Sequence, residues 1–119
     1  MISFPKHKET MLRYLEAVSA GELLGVLSLF TKEARVHSPT QAGPKTPQEF
    51  YPALLERSKG VTFEPKSFFA GEQPGMASVV FDYCKPGADA FDCVDIFSFD
   101  AKGKIKELWI IFDTKNLTK

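Results

Sequence analysis

Apolar residues recur at helical spacing in the first part of the chain and at every second position in its latter half, and this change of period divides the sequence into two kinds of element. Met11, Tyr14, Leu15 and Val18 form one helical stripe, and Leu23, Val26, Leu27 and Phe30 form a second. Gly21 separates them as a C-terminal stop. Ala34 to Pro39 reads as a short strand ended by proline, followed by a loop over 40–47 rich in Gly, Pro and Thr. Thr46 and Pro47 supply a cap and a first-turn proline, predicting a third helix that places Phe50, Tyr51, Leu54 and Leu55 inward and ends by Gly60.

Beyond that point the period is two, and four strands are predicted at 61–70, 76–84, 90–99 and 104–113. Pro74-Gly75, Pro86-Gly87 and the Asp-Ala-Lys-Gly stretch at 100–103 provide the turns of a meander. Helices followed by antiparallel strands predict an α+β fold: a curved antiparallel sheet wrapped around the N-terminal helices, forming a cone with an apolar pocket. The 119 residues suit one domain spanning 1–119.

One residue breaks the pattern. Alternation in Phe91-Asp-Cys-Val-Asp-Ile-Phe-Ser-Phe99 puts Phe91, Cys93, Asp95, Phe97 and Phe99 on the same face. A carboxyl group among three phenylalanines and a cysteine must be neutralised, hydrogen-bonded or turned to a ligand cavity, because an unpaired buried charge costs several kcal/mol or more. The alternative is a bulge or register slip that turns Asp95 toward water. The opposite face of the last strands is also partly apolar, with Trp109 and Ile111 joined by Val94 and Ile96. A sheet with one face in water alternates more cleanly, so a second subunit is expected to cover this surface, giving a homodimer; long side chains such as Lys106 are the alternative shelter.

Charge narrows the partners. Lys plus Arg and Asp plus Glu both total 15, so no global field draws the protein to nucleic acid or an anionic membrane, and neither is expected as a partner. No apolar run approaches the roughly 20 residues of a membrane span, and the opening residues have no signal-peptide core, which places the protein in the cytoplasm as an expectation. Cys84 and Cys93 are then expected as free thiols. His7 and His37 are far apart in sequence and no His/Cys/carboxylate cluster has metal spacing. No Gly-rich phosphate loop or nucleophile elbow is present, so no metal or other cofactor is expected. Lys85 and the lysines of 102–106 read as solvated turn residues, and Asp82 and Asp113 fall on the outward parity of their strands.

Several segments carry a resemblance to a known family. Arg13-Tyr-Leu-Glu-Ala-Val-Ser-Ala-Gly-Glu-Leu-Leu-Gly-Val-Leu-Ser-Leu-Phe-Thr-Lys-Glu-Ala-Arg-Val-His-Ser-Pro39 resembles the opening helices and first strand of the ketosteroid isomerase family, within the nuclear-transport-factor-like and polyketide-cyclase-like superfamily. Glu49-Phe50-Tyr51, Phe81-Asp-Tyr83, Val94-Asp-Ile-Phe-Ser-Phe99 and Ile111-Phe-Asp-Thr-Lys-Asn116 are similar to its third helix, two core strands and closing strand, in the same order. The resemblance implies that Tyr14 and Asp95 form an oxyanion-stabilising pair, Asp95 as a protonated acid, and that Tyr51 supports them. It also exposes a departure: the family's general base is an aspartate immediately before this proline, and here that position is Ser38.

A serine hydroxyl cannot abstract a proton from carbon unaided, and loss of a positioned base removes roughly 10² to 10⁴ in rate. His37 has a suitable pKa but, as the neighbour of Ser38 on a strand, looks away from the cavity if Ser38 looks in; a bulge before Pro39 would reverse this. Two functions are therefore expected. In the first, a pocket lined by Val79, Phe81, Phe97, Phe99, Leu108, Ile110 and Phe112 binds a small, flat, mostly apolar molecule whose oxygen meets Tyr14 and Asp95. In the second, the same pair stabilises an enolate for an isomerase, cyclase or dehydratase, with His37, a Ser38-held water or a substrate group moving the proton.

Overall fold

The computed structural model describes residues 3–118. Helix α1 (Phe4–Ala20) begins well before the first apolar stripe because Pro5 sits in its first turn and His7 is buried, its ring stacked on Phe99 at 4.2 Å. It ends where predicted. Gly21 adopts φ 70°, and the N–H groups of Gly21 and Glu22 bond back to the carbonyls of Val18 and Ala17, a closure that needs a left-handed residue. Helix α2 (Leu23–Leu27) is a single short turn-and-a-half, and Phe30, expected on its stripe, instead opens strand β1 (Phe30–His37).

Helix α3 (Pro47–Arg57) starts on a capping box: Thr46 Oγ1 accepts from Glu49 N at 3.2 Å and Glu49 Oε1 accepts from Thr46 N at 2.9 Å. Strands β2 (Thr62–Ala70), β3 (Met76–Cys84), β4 (Phe91–Phe99) and β5 (Ile105–Ile111) form the meander, each pairing antiparallel with the next. A final 3₁₀ helix, Thr114–Thr118, follows β5 where the alternation had suggested strand to residue 113.

The sheet order is β1-β5-β4-β3-β2, and β1 runs parallel to β5, so the sheet is mixed and not antiparallel throughout. Alternation reports which face a side chain takes, not which strand lies beside it or in what direction. Loop 38–46 and α3 carry the chain from β1 to the far edge of the sheet, and three reversals return it to lie beside β1. Register shifts between Pro65 and Ser67 in β2 and between Ser98 and Phe99 in β4 bend the sheet around the helices. Gly71 permits the tight β2–β3 connection, since a Cβ there would stand 2.5 Å from Met76 Cβ.

Helix α1 lies along the concave face. Ser19 Oγ accepts from Phe63 N at 2.9 Å, tying the helix end to β2, while Met11, Leu15 and Val18 enter a core with Val26, Val36, Val79, Phe97, Ile105 and Leu108. Cys84 and Cys93 are free thiols, and Cys93 lies opposite Phe81. On the convex face Val94, Ile96 and Trp109 are half-buried and Ile111 is exposed. Among the described residues no helix is long and apolar enough to cross a membrane.

Because the Thr46–Glu49 box closes the start of the helix that carries Tyr51, Thr46→Ala is expected to lower stability by about 1 kcal/mol, read by urea unfolding. An unchanged midpoint would show that tertiary packing alone holds this end.

Candidate functional site

Strand β4 divides its inner face into two halves. Phe97 and Phe99 lie under α1, where Tyr14 packs edge-on against Phe97 at 5.4 Å and His7 stacks on Phe99. Phe91, Cys93 and Asp95 instead line a cavity of about 320 Å³, so Asp95 stands where packed core gives way to open space. Its strand neighbours are Val79 on β3 and Ile110 on β5.

Asp95 is 1% exposed, belongs to no ion pair among the described residues, and its Oδ1 has no hydrogen-bond partner. Burial pushes its pKa well above the ordinary carboxylate value. A protonated acid in this position is a hydrogen-bond donor with a spare acceptor oxygen.

Tyr14 lines the same cavity, and its hydroxyl lies 2.6 Å from that of Tyr51, which is fully buried behind it. Burial raises both phenols well above their usual pKa, and the nearby Asp95 carboxyl, when charged, would raise them further. Two phenols sharing one short contact use one proton between them. When Tyr51 donates, the Tyr14 proton is left for an oxygen in the cavity. Tyr51 therefore stands behind Tyr14 as its support and does not line the cavity.

Ser38 lines the cavity just past the end of β1, its Oγ 2.9 Å from Thr40 Oγ1 and accepting from Thr40 N at 3.3 Å. His37 is on the other face. Its ring stacks on Trp109 with centroids 5.3 Å apart, and Nε2 lies 2.6 Å from Glu107 Oε2. The irregularity in β1 falls between Phe30 and Arg35, whereas Arg35 to His37 pair in regular register with β5, so no bulge turns His37 inward. It does not line the cavity, and the alternative of a histidine base beside Ser38 is corrected accordingly.

Of the expected apolar lining, Phe81, Ile110 and Phe112 reach the cavity. Val79, Phe97, Phe99 and Leu108 do not; they are at most 3% exposed and packed in the core beneath the helices. Parity identifies the inner face but not how far along it the helices extend. The remaining wall comes from Leu15, Val18, Phe50, Leu54, Phe63 and Leu117, with Arg57, Ser58, Tyr83 and Lys85 at polar positions. Lys85, expected as a solvated turn residue, is exposed and also borders the cavity. Tyr83 shares the parity of Phe81 and was accessible to the alternation rule; Arg57 and Leu117 carried no such signal.

The model of the family described as a SnoaL-like domain matches residues 11–108. Among solved structures the chain is similar to SalBIII, an epoxide hydrolase/cyclase-like enzyme with a role in pyran ring formation in the polyether salinomycin, at TM-score 0.80 and 20% identity over 98% of this chain and 97% of that one. A SnoaL-like protein of unknown function from Burkholderia thailandensis E264 aligns with TM-score 0.79 and 15% identity, covering 95% and 99% of the two chains. A candidate SnoaL-like polyketide cyclase from Shewanella denitrificans OS-217 aligns with TM-score 0.73 and 15% identity over 96% and 95%. At these identities the structures establish the shared fold.

The pKa shift of Asp95 has a sign that can be measured. A folded pKa above the unfolded value means its contribution is complete at pH below about 3.8 and is lost as pH rises toward the folded pKa. His7, lowered by burial, contributes the opposite slope, but equally in wild type and an Asp95 variant. Wild type is thus expected to lose up to about 1.4 kcal/mol per pH unit relative to Asp95→Asn above pH 4, measured by denaturant titration across pH. A variant several kcal/mol less stable at pH 7 would show that Asp95 is ionised and paired.

Proposed function

The chain belongs to the SnoaL-like domain family, and from the site its fold carries we propose that it binds a small, flat, mostly apolar molecule whose carbonyl or phenolic oxygen is held by Tyr14 and Asp95. One observation carries this reading: a buried, unpartnered carboxyl and a buried phenol line the same apolar cavity. A protonated acid and a phenol both donate, and in a site shielded from water two donors on one oxygen favour a carbonyl or an enolate-like oxygen. The aromatic wall of Phe63, Phe81, Phe91 and Phe112 suits a planar ring system.

A second reading follows from the same donors. Stabilising an enolate is the central demand of isomerase, cyclase and dehydratase chemistry, and two of the similar structures are named in cyclase terms. Among its described lining the cavity has no carboxyl group other than Asp95 and no histidine, so proton transfer would fall to a water held at Ser38 or to a group on the substrate. This favours binding over efficient steroid isomerisation.

The half-buried Val94, Ile96 and Trp109 and the exposed Ile111 support a homodimer through the convex sheet face. Sedimentation at micromolar concentration is expected to give a dimer; a monomer there removes this part of the proposal.

Titration with a planar phenol such as 2-naphthol is expected to show saturable binding that Tyr14→Phe weakens about tenfold, equivalent to about 1.4 kcal/mol. Failure of every planar oxygenated aromatic to bind would sink both readings. Assay with a β,γ-unsaturated ketone then separates them: binding without turnover supports the binding module, and Ser38→Asp is expected to introduce isomerisation by supplying the missing base.

A further inference from the structure

At the end of the cavity away from Asp95 the lining changes from apolar to cationic and hydroxylic. Arg57 closes α3, Ser58 follows it as the C-terminal cap, Tyr83 ends the inner face of β3, and Lys85 lies just beyond that strand. We infer that these four residues form a carboxylate-binding subsite, so that the molecule held at Tyr14 and Asp95 is an elongated aromatic or polycyclic acid with its charge at the opposite end. The inference rests on the binding reading above and adds the substrate class to it.

Three observations carry it. The side chains of Arg57 and Lys85 make no ion pair or hydrogen bond with any described residue, and Asp95, the single carboxyl group among the cavity's described lining, is driven toward its neutral form by burial. Two uncompensated positive charges at a largely apolar cavity leave a net field that favours an anion. Next, Ser58 is 6% exposed and its Oγ is buried without a partner, a polar group that a ligand oxygen would satisfy. Finally, Arg57 acts electrostatically on the Tyr83 phenol, drawing its pKa down against the upward pull of burial, so the guanidinium and the phenol share one region.

Strand register sets the length of the guest. Asp95 pairs with Val79, Cys93 with Phe81 and Phe91 with Tyr83, so the acid and the subsite are four residues apart along β3, about 13 Å. Allowing for hydrogen-bond contacts at both ends, this distance fits two fused rings bearing oxygens at opposite poles. Between them the wall holds Phe81 and Cys93, whose thiol burial pushes up to about 12, so no charge interrupts the apolar stretch. Arg57 offers a planar fork to a carboxylate and Lys85 a second cation, while the exposed setting of both keeps their attraction open to screening by salt.

The experiment compares 2-naphthol with 6-hydroxy-2-naphthoate, the same phenol carrying a carboxylate at the far pole, by calorimetric titration at low ionic strength. The ratio of their dissociation constants is the readout. Wild type is expected to prefer the acid by about tenfold, with the preference falling as salt rises. In Arg57→Gln/Lys85→Gln, both positions being exposed and compatible with folding, the ratio is expected to fall to about one, whereas Tyr14→Phe weakens both probes and leaves the ratio standing. Equal affinity for the two probes in wild type, or a preference that survives the double substitution, overturns the subsite while the oxygen site remains. Binding of neither probe overturns the cavity reading and this inference with it.

Discussion

A carboxyl group buried without a counter-ion is the constraint around which the rest of this structure is arranged. Asp95 lies between Val79 and Ile110 in the middle of the sheet, and no cation reaches it among the described ion pairs. An ionised group in that position would cost several kcal/mol, so burial favours the protonated acid. The neighbouring phenols hold their protons for the same reason, because burial pushes the pKa of Tyr14 and Tyr51 well up. The outcome is a set of donors without a base, an arrangement better matched to holding an oxygen than to pulling hydrogen from carbon.

Helix α1 determines where that set is accessible. Its N-terminal part covers one half of β4 through His7 on Phe99 and Tyr14 on Phe97, filling the cone. Its C-terminal part, Leu15 and Val18, stands back and forms a cavity wall. A single helix thus makes both the packed core that desolvates Asp95 and the space that gives a ligand access to it. Tyr14 sits at the boundary and is held there by Tyr51 from α3. The packing that stabilises the fold and the geometry that orients the donors are the same contacts.

The two neighbours before Pro39 show how strictly backbone geometry partitions chemistry. Ser38 lies on the cavity and His37 on the convex face, stacked with Trp109 and paired with Glu107. An imidazole one residue from the cavity is separated from it by the full thickness of the sheet. His37 therefore belongs to the surface through which a second copy is proposed to pack, and Ser38 is left with hydroxyl chemistry alone.

Much of this was legible in the order of residues. Helical spacing and period-two alternation placed the three helices and the meander, Gly21 stopped α1, and parity put Asp95 inward and set Ser38 against His37, because these properties depend only on local dihedral angles and their repeat. What the tertiary structure decided was everything that depends on distance between elements. The parallel approach of β1 to β5, the contact of Tyr14 with Tyr51, the burial of Val79, Phe97, Phe99 and Leu108 in one core, and the arrival of Arg57 and Lys85 at the cavity wall all join segments remote in sequence. A repeat fixes the side of a strand that a residue faces; whether that side meets a helix, empty space or a charge depends on how far the neighbouring elements extend, and only the folded chain settles that length.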